Sequence, residues 1–321
     1  MKVRIDGFVL SIIVVILVAW FFPQWGTKES VLPIETISSI GVSLIFFFYG
    51  LKLSPEKLKT GLRNWRLHLL VQLSTFLLFP LLVLPLRPLF QTAELNTIWL
   101  ALLFLAALPS TVSSSVVMVS IARGNVAGAI FNASISGLIG IAITPLWMGL
   151  FVPATNTGYD LGSIYLKLLL EILLPVVLGI SLQRYGGKWA QHYSKQLTLF
   201  DKSVILLIIY KSFAESFDAN IYSSVKPIYF AVIALLVVVL FFLVYFLTGF
   251  IARQLHFSIE DQVAAQFCGS KKSLVHGTVF SKILFAQSSS IGIMLLPLML
   301  FHAFQIFMVS IYAGRLARRV T

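Results

Sequence analysis

Long apolar stretches alternate with short polar ones from one end of the chain to the other. They fall at about 7–23, 37–53, 67–87, 97–122, 126–152, 162–184, 200–217, 225–252, 260–286 and 289–314. A membrane-spanning helix needs about 20 apolar residues and a barrel strand about 9–11. Only helices and closed barrels satisfy their backbone groups in lipid, and these runs are too long for barrel strands. The pattern therefore predicts an all-α integral membrane protein with ten transmembrane helices. The fourth and ninth runs are interrupted by polar and helix-breaking residues, which predicts discontinuous helices there.

Composition agrees with the pattern. Of 321 residues 58% are hydrophobic and 11% charged, with mean hydropathy +0.94. A soluble domain carries about 25% charged residues, and the deficit here is spread along the whole chain, so no separate soluble domain is expected. The net charge of +12 would suggest a nucleic-acid partner in a soluble protein. Here the basic residues sit between apolar runs, so the expected partner is the lipid bilayer and no nucleic acid. The single cysteine, Cys268, forms no intrachain disulfide. The opening stretch MKVRIDGFVLSIIVVILVAWFFP has a basic lead but no A-x-A-like cleavage site, and it is expected to stay as a first helix.

Alternate gaps divide the basic residues. One set holds Lys2, Arg4, Lys52, Lys57, Lys59, Arg63, Arg66, Arg123, Arg184, Lys188, Lys195, Arg253, Arg315, Arg318 and Arg319; the other holds Lys28, Arg87, Lys167, Lys226 and Lys282. The excess predicts that both termini lie in the cytoplasm, in a cell inner (plasma) membrane. An even number of spans requires both ends on one side as well. A weak internal repeat accompanies this. Tyr49 and Tyr210 stand 161 positions apart in similar contexts, and Pro109-Ser110 and Gly269-Ser270 stand 160 apart. The halves 1–156 and 157–321 then hold five spans each, and an odd number per repeat makes the two repeats inverted.

The two interruptions carry the candidate chemistry. The first reads ALPSTVSSSVVMVSIARGN, residues 107–125. Pro109 removes a backbone donor and disfavours helix at Leu108. Ser110, Thr111, Ser113, Ser114 and Ser115 then offer hydroxyls that can satisfy freed backbone groups or ligate a cation; the plain alternative is close helix packing. The second reads AAQFCGSKKSLVHGTVFSKIL, residues 264–284. Lys271 and Lys272 follow Gly269-Ser270 inside an apolar run. Such charges cost roughly 2.5–3.5 kcal/mol each on insertion scales and face a cavity or a partner; the alternative is a re-entrant segment with its lysines among headgroups. His276, four residues after Lys272, is expected on the same helix face. A half-helix N-terminus after this break, with two lysines beside it, favours an anion such as a carboxylate or phosphate.

At these segments the chain resembles the bile acid:sodium symporter family. The ARGN-V-A run at Ala122–Ala127 behind a Ser-rich interruption is a feature of that family. The runs LHLLVQLSTFLLFP (67–80), AIFNASISGLIGIAITPL (129–146) and FCGSKKSL (267–274) look like the branch holding the seventh member of solute carrier family 10 and the bacterial YfeH-like proteins. The resemblance implies ten helices in inverted five-helix repeats, panel and core domains, and crossing discontinuous helices four and nine. It also implies a secondary transporter that carries an organic anion by alternating access.

Residue by residue, the resemblance implies a departure. The family's Ser-Asn pair falls near Ser114-Ser115-Val116, leaving the Asn unmatched. Its small polar ligands on helix five fall on Ala129 and Ala133, with Asn132 and Ser136 nearby. Its helix-three ligand falls near Thr75, with Gln72 a turn earlier. Its bridging glutamate falls on Gln266, and the Asn-Ser behind it on Lys271-Lys272. Ser114, Ser115, Asn132 and Gln266 are the candidate sodium ligands; Thr75, Ser110, Thr111, Ser113, Ser136, Ser270, Lys271, Lys272 and His276 complete the candidate site. A lysine about 6 Å from a sodium ion opposes it by roughly 3 kcal/mol at an effective dielectric near 20, about a hundredfold in affinity. Two hypotheses follow: an ammonium stands in for the coupling cation and pairs the substrate, or a lysine exchanges a proton during the cycle. Alternative readings are a proton-coupled anion carrier and a non-transporting membrane regulator related to calcium handling.

Other polar residues have local explanations. Lys167–Glu171 and Lys211–Glu215 have i,i+4 spacing, expected to neutralise locally, with Lys271 or Lys272 as an alternative partner for Glu171. His302 and Gln305 share a helix face and are expected to hydrogen-bond between helices. The chain has no H-E-x-x-H, Walker loop or cysteine cluster. NASISG at 132–137 lacks the strand context of a serine nucleophile turn. No enzyme and no cofactor are expected, and sodium is the one candidate ion.

Overall fold

Each of the ten apolar runs contains helix in the computed structural model, which describes residues 7–27, 30, 33–53, 64–111, 113–152, 161–220, 226–286 and 290–318. The helices are α1 (Gly7–Phe21), α2 (Ile34–Lys52), α3 (Trp65–Leu89), α4 (Ala93–Ala107), α5 (Ser113–Ile121) and α6 (Val126–Gly149). They continue as α7 (Gly162–His192), α8 (Ser194–Asp218), α9 (Pro227–Gln254), α10 (Ile259–Gly269), α11 (Leu274–Leu284) and α12 (Ile291–Leu316). No strand occurs among the described residues. Six of the helices, α2, α3, α6, α7, α9 and α12, are long and apolar enough to cross a membrane. Helix α8 has 25 residues but carries Lys195, Asp201, Lys202, Lys211, Glu215 and Asp218. Many large apolar side chains point outward, among them Trp20, Phe21, Leu235 and Phe246. A hydrocarbon solvent makes that arrangement favourable.

The chain forms two compact units, and each draws on both halves of the sequence. Unit 1 comprises Met1–Ser54, Val152–Lys226 and Thr278–Leu295; unit 2 comprises Pro55–Phe151, Pro227–Gly277 and Leu296–Thr321.

In unit 1, α2 lies along α7 with backbones touching. A Cβ on Gly50 would collide with the Val176 carbonyl, and one on Gly179 with the Phe47 carbonyl. Small residues permit this approach where no hydrophobic effect drives helices together. The Tyr210 hydroxyl donates to the Phe22 carbonyl at 2.6 Å, joining α8 to the end of α1.

In unit 2 the helix starts are fastened together. Asn64 caps α3 by accepting from the Leu67 N–H, and Asn125 caps α6 by accepting from the Gly128 N–H. Both amides then donate to one carboxylate, that of Asp261 in the first turn of α10, each at 2.7 Å. The ARGN run serves this junction. Arg123 takes a left-handed φ of 53° and ends α5, and the Asn125 N–H donates to the Glu260 carbonyl. An acid near three helix N-termini also meets favourable dipoles.

Candidate functional site

Both interruptions are real breaks. Helix α4 stops at Ala107 and α5 begins at Ser113; α10 stops at Gly269 and α11 begins at Leu274. Val112 and the side chain of Ser113 lie outside the described residues. A break frees backbone groups that must find new partners, and here each break supplies partners for the other. The Ser110 hydroxyl donates to the Cys268 carbonyl at 2.6 Å, and the Ser273 N–H donates to the Pro109 carbonyl at 2.8 Å. Helix α6 braces the first break as well. Its Ser136 hydroxyl accepts from the Ser110 N–H at 3.0 Å, and its Thr144 hydroxyl donates to the Ala107 carbonyl at 2.8 Å. Gly140 makes room for the Pro109 ring, with which a Cβ would come within 2.9 Å.

The two lysines sit in this junction, 1% and 0% exposed, and have different surroundings. Lys272 donates from Nζ to the carbonyls of Thr75 at 2.6 Å, Ala106 at 2.6 Å and Leu108 at 2.8 Å. Its ammonium also lies 4.1 Å from the centre of the Phe79 ring. Three N–H donors thus meet three oxygens, and the charge sits on the negative end of α4. Gln305 of α12 holds the lysine's own peptide groups. Its Oε1 accepts from the Lys272 N–H and its Nε2 donates to the Lys272 carbonyl, both at 2.8 Å. Lys271 donates from Nζ to the Ser114 carbonyl at 3.0 Å, its one hydrogen-bond partner among the described residues.

The sequence of α3 explains why a carbonyl is free for Lys272. Residues Ser74–Leu78 form a π-helical turn in which the Phe79 N–H reaches back to Ser74. The carbonyl of Thr75 would then need the N–H of residue 80, which is Pro80 and has none. The carbonyl of Phe76 is freed by the same proline and accepts from Trp147 Nε1 at 2.8 Å. Pro109 ends α4: the Leu105 carbonyl, without an N–H at 109, falls back on the Leu108 N–H, and the Ser110 N–H that Ala106 would need goes to Ser136, leaving Ala106 and Leu108 for the lysine.

The remaining candidate residues occupy several separate groups. The Thr111 hydroxyl bonds both the Ser114 and Ser115 hydroxyls, at 2.8 and 2.9 Å. Asn132 accepts from Gln72 Nε2 at 3.2 Å and donates to the Gly128 carbonyl. Gln266 Nε2 donates to the Tyr245 carbonyl at 3.2 Å, in the space that Gly249 leaves on α9. The four candidate sodium ligands therefore belong to three different hydrogen-bond groups. Thr75 joins the site through its carbonyl, while its hydroxyl caps Val71. The Ser270 hydroxyl returns to the Gln266 carbonyl. His276 pairs through Nδ1 with the Ser273 hydroxyl at 2.9 Å. The shared helix face expected for Lys272 and His276 does not form, because the break runs through Ser273 and α11 starts beyond it. Glu171 lies in unit 1, with Oε2 buried and without a hydrogen bond. No group of three or more His, Cys, Asp or Glu able to hold a metal occurs among the described residues.

Gln305 and Pro80 are the site residues that sequence reasoning passed over in these roles. Pro80 carries a signal, as a proline in the middle of an apolar run. The sequence marks Gln305 only as an interhelical hydrogen-bonding group; it bonds Lys272 in the second break and, within α12, His302.

Known proteins resemble the chain over nearly its full length. The model of the SBF-like CPA transporter family matches residues 6–318. An uncharacterized protein of Pseudomonas aeruginosa is 40% identical over 315 residues, covering 98% of this chain and 93% of the relative. The putative symporter YfeH of Escherichia coli K12 is 37% identical over 316 residues, 98% of this chain and 94% of its own. Sodium/bile acid cotransporter 7-B of Xenopus laevis is 32% identical over 318 residues, 97% and 91%. With a family match across nearly the whole chain and apolar helices throughout, this multi-pass membrane protein belongs to the SBF-like CPA transporter family and is a transporter, not an enzyme.

Proposed function

We propose that the chain is a secondary active transporter that moves a small organic anion by alternating access, with the junction of the two breaks as its binding site. The supporting observation is the Lys271–Lys272 pair. Both side chains are buried, the Lys271 ammonium stands in the first turn of α5, and among the described residues neither lysine makes an ion pair with a carboxylate. The positive end of α5 and the Lys271 ammonium in a dry site select an anion. Lys271, with a single carbonyl partner, is the group that meets the substrate; the Thr111, Ser114 and Ser115 hydroxyls lie along the same half-helix.

The architecture in this reading has ten spans, with 1–156 and 157–321 as inverted repeats. The α4–α5 and α10–α11 pairs are the crossing discontinuous helices, in a bacterial inner membrane with both termini cytoplasmic. Sodium/bile acid cotransporter 7-B of Xenopus laevis carries sodium and bile acid in its name, which makes a carboxylate the first substrate to offer and sodium the first ion gradient to test. Gln266, turned toward α9, supplies no acid at the junction.

The test is uptake by purified protein in liposomes. Radiolabelled carboxylates are offered under sodium, proton or no ion gradient. Saturable uptake that Lys271→Met abolishes supports the reading. Unitary conductance in bilayers, or equal uptake with Met at 271, would sink it.

A further inference from the structure

We infer that Lys272 is a resident monovalent cation, a tethered ammonium occupying a carbonyl cage that a transported ion would otherwise have to fill. The inference depends on the carrier reading for its consequence in transport, and on geometry alone for the cage.

The cage has the features of an alkali-ion site. Its three ligands are backbone carbonyl oxygens at 2.6–2.8 Å, drawn from two helices. Carbonyl oxygens are hard ligands that replace a hydration shell. An ammonium is close to potassium in size and charge, and the Phe79 ring face adds a surface that favours cations of this kind. No carboxylate among the described residues pairs with the charge. The ligands are free because Pro80 removes the N–H that would have claimed the Thr75 carbonyl and because α4 ends before Pro109, with the Ser110 N–H turned to Ser136, so the cage belongs to the helices rather than to the lysine.

Two further observations separate Lys272 from substrate binding. All three of its ammonium protons are used, leaving none for an anion. Its main chain is held on both sides by the buried Gln305 amide. A sodium ion entering the same oxygens would meet the ammonium itself. The cation that holds α3, α4 and the second break together is therefore loaded when the protein folds, not in each cycle, and no transported sodium ion passes through this cage.

The experiment reads thermal unfolding of the full chain in nanodiscs, so it does not depend on knowing the substrate. Wild type should show the same midpoint in sodium, potassium and choline chloride. Lys272→Ala removes the side chain beyond Cβ, whose missing atoms correspond to propylammonium. Its midpoint should fall by several degrees and be restored, saturably, by propylammonium chloride and in part by potassium or sodium, but not by choline. Wild-type stabilisation by sodium over choline would overturn the inference, as would an alanine variant indifferent to every cation. Should the alanine variant not fold, Lys272→Arg and Lys272→Met decide. Arginine should fold and ignore sodium, whereas methionine as stable as wild type would count against a resident cation. Uptake measured in sodium and in choline chloride forms a separate arm. Absence of uptake in both, with the propylammonium result intact, refutes the carrier reading and leaves the cage standing.

Discussion

Unit 1 half-buries a pair of lysines and unit 2 buries a pair completely, and the two units satisfy them by opposite means. In unit 1, Lys211 lies 2.7 Å from Glu215 and 3.1 Å from Glu35, while Lys282 lies 3.2 Å from the other oxygen of Glu35 and donates to the Ser39 hydroxyl at 2.6 Å. These side chains border a cavity of about 300 Å³. Two positive and two negative groups cancel. In unit 2, Lys271 and Lys272 meet only carbonyl oxygens and an aromatic face. Dipoles satisfy a charge without supplying a counter-charge, so among the described residues no carboxylate cancels the unit 2 pair. A buried lysine therefore marks a ligand site only after its counter-group is known: beside a carboxylate it is architecture, and beside carbonyls it remains a source of field.

The comparison is broken most severely at Lys271. Replacement by methionine deletes the charge assigned to the substrate, and anion uptake should fall about a hundredfold, the scale of roughly 3 kcal/mol for a charge pair at an effective dielectric near 20. The unfolding midpoint should change little, since one carbonyl bond is lost. Next in size is Lys211→Met, which strands the largely buried Glu215 carboxylate and should cost about 2 kcal/mol of stability without altering uptake of the anion; denaturant titration reads it. Pro80→Ala should cost about 1 kcal/mol by supplying an N–H that competes with Lys272 for the freed carbonyls of α3, and it should make the wild-type cation indifference of unfolding less complete. The smallest effect is expected for Glu35→Gln. Its side chain is 58% exposed, and an exposed pair contributes about 0.2–1 kcal/mol. That difference should shrink further at high salt, whereas the Lys272 cage, sealed from solvent, should show no such salt dependence.

Much of the architecture was legible in the residues. The apolar runs located the helices, most ends within a few positions, although α7 continues to His192 and α8 begins at Ser194 where polar residues hide the helix; Pro109 and Gly269-Ser270 marked the two breaks because each removes or weakens helical backbone bonding. The lysine pair also announced itself, since two charges within an apolar run have few inexpensive places to go. What the chain did not disclose was the division of labour between Lys271 and Lys272. That depends on which carbonyls are free, and carbonyls leave no trace in a side-chain pattern. Pro80 was the one readable clue, and its meaning required the π-helical turn beside it. Gln266 illustrates a different gap. Correspondence with a glutamate position pointed to the ion site, but Gly249 opens a space on α9 that draws the amide the other way. The Glu35–Lys282 bridge joins residues too distant in sequence for any spacing rule to pair them.

The bracket at Asp261 has a consequence for how this protein can change over time. One carboxylate there receives the amides of Asn64 and Asn125, and each of those asparagines also caps its own helix with the remaining oxygen. An aspartate at 64 or 125 would keep the cap yet set two acids face to face; an asparagine at 261 would keep one acceptor oxygen and set its own NH2 against the other amide, losing that bond. No single substitution among the three positions is neutral. They should drift as one inherited character, and a lineage that has altered any of them should carry compensating changes at the other two.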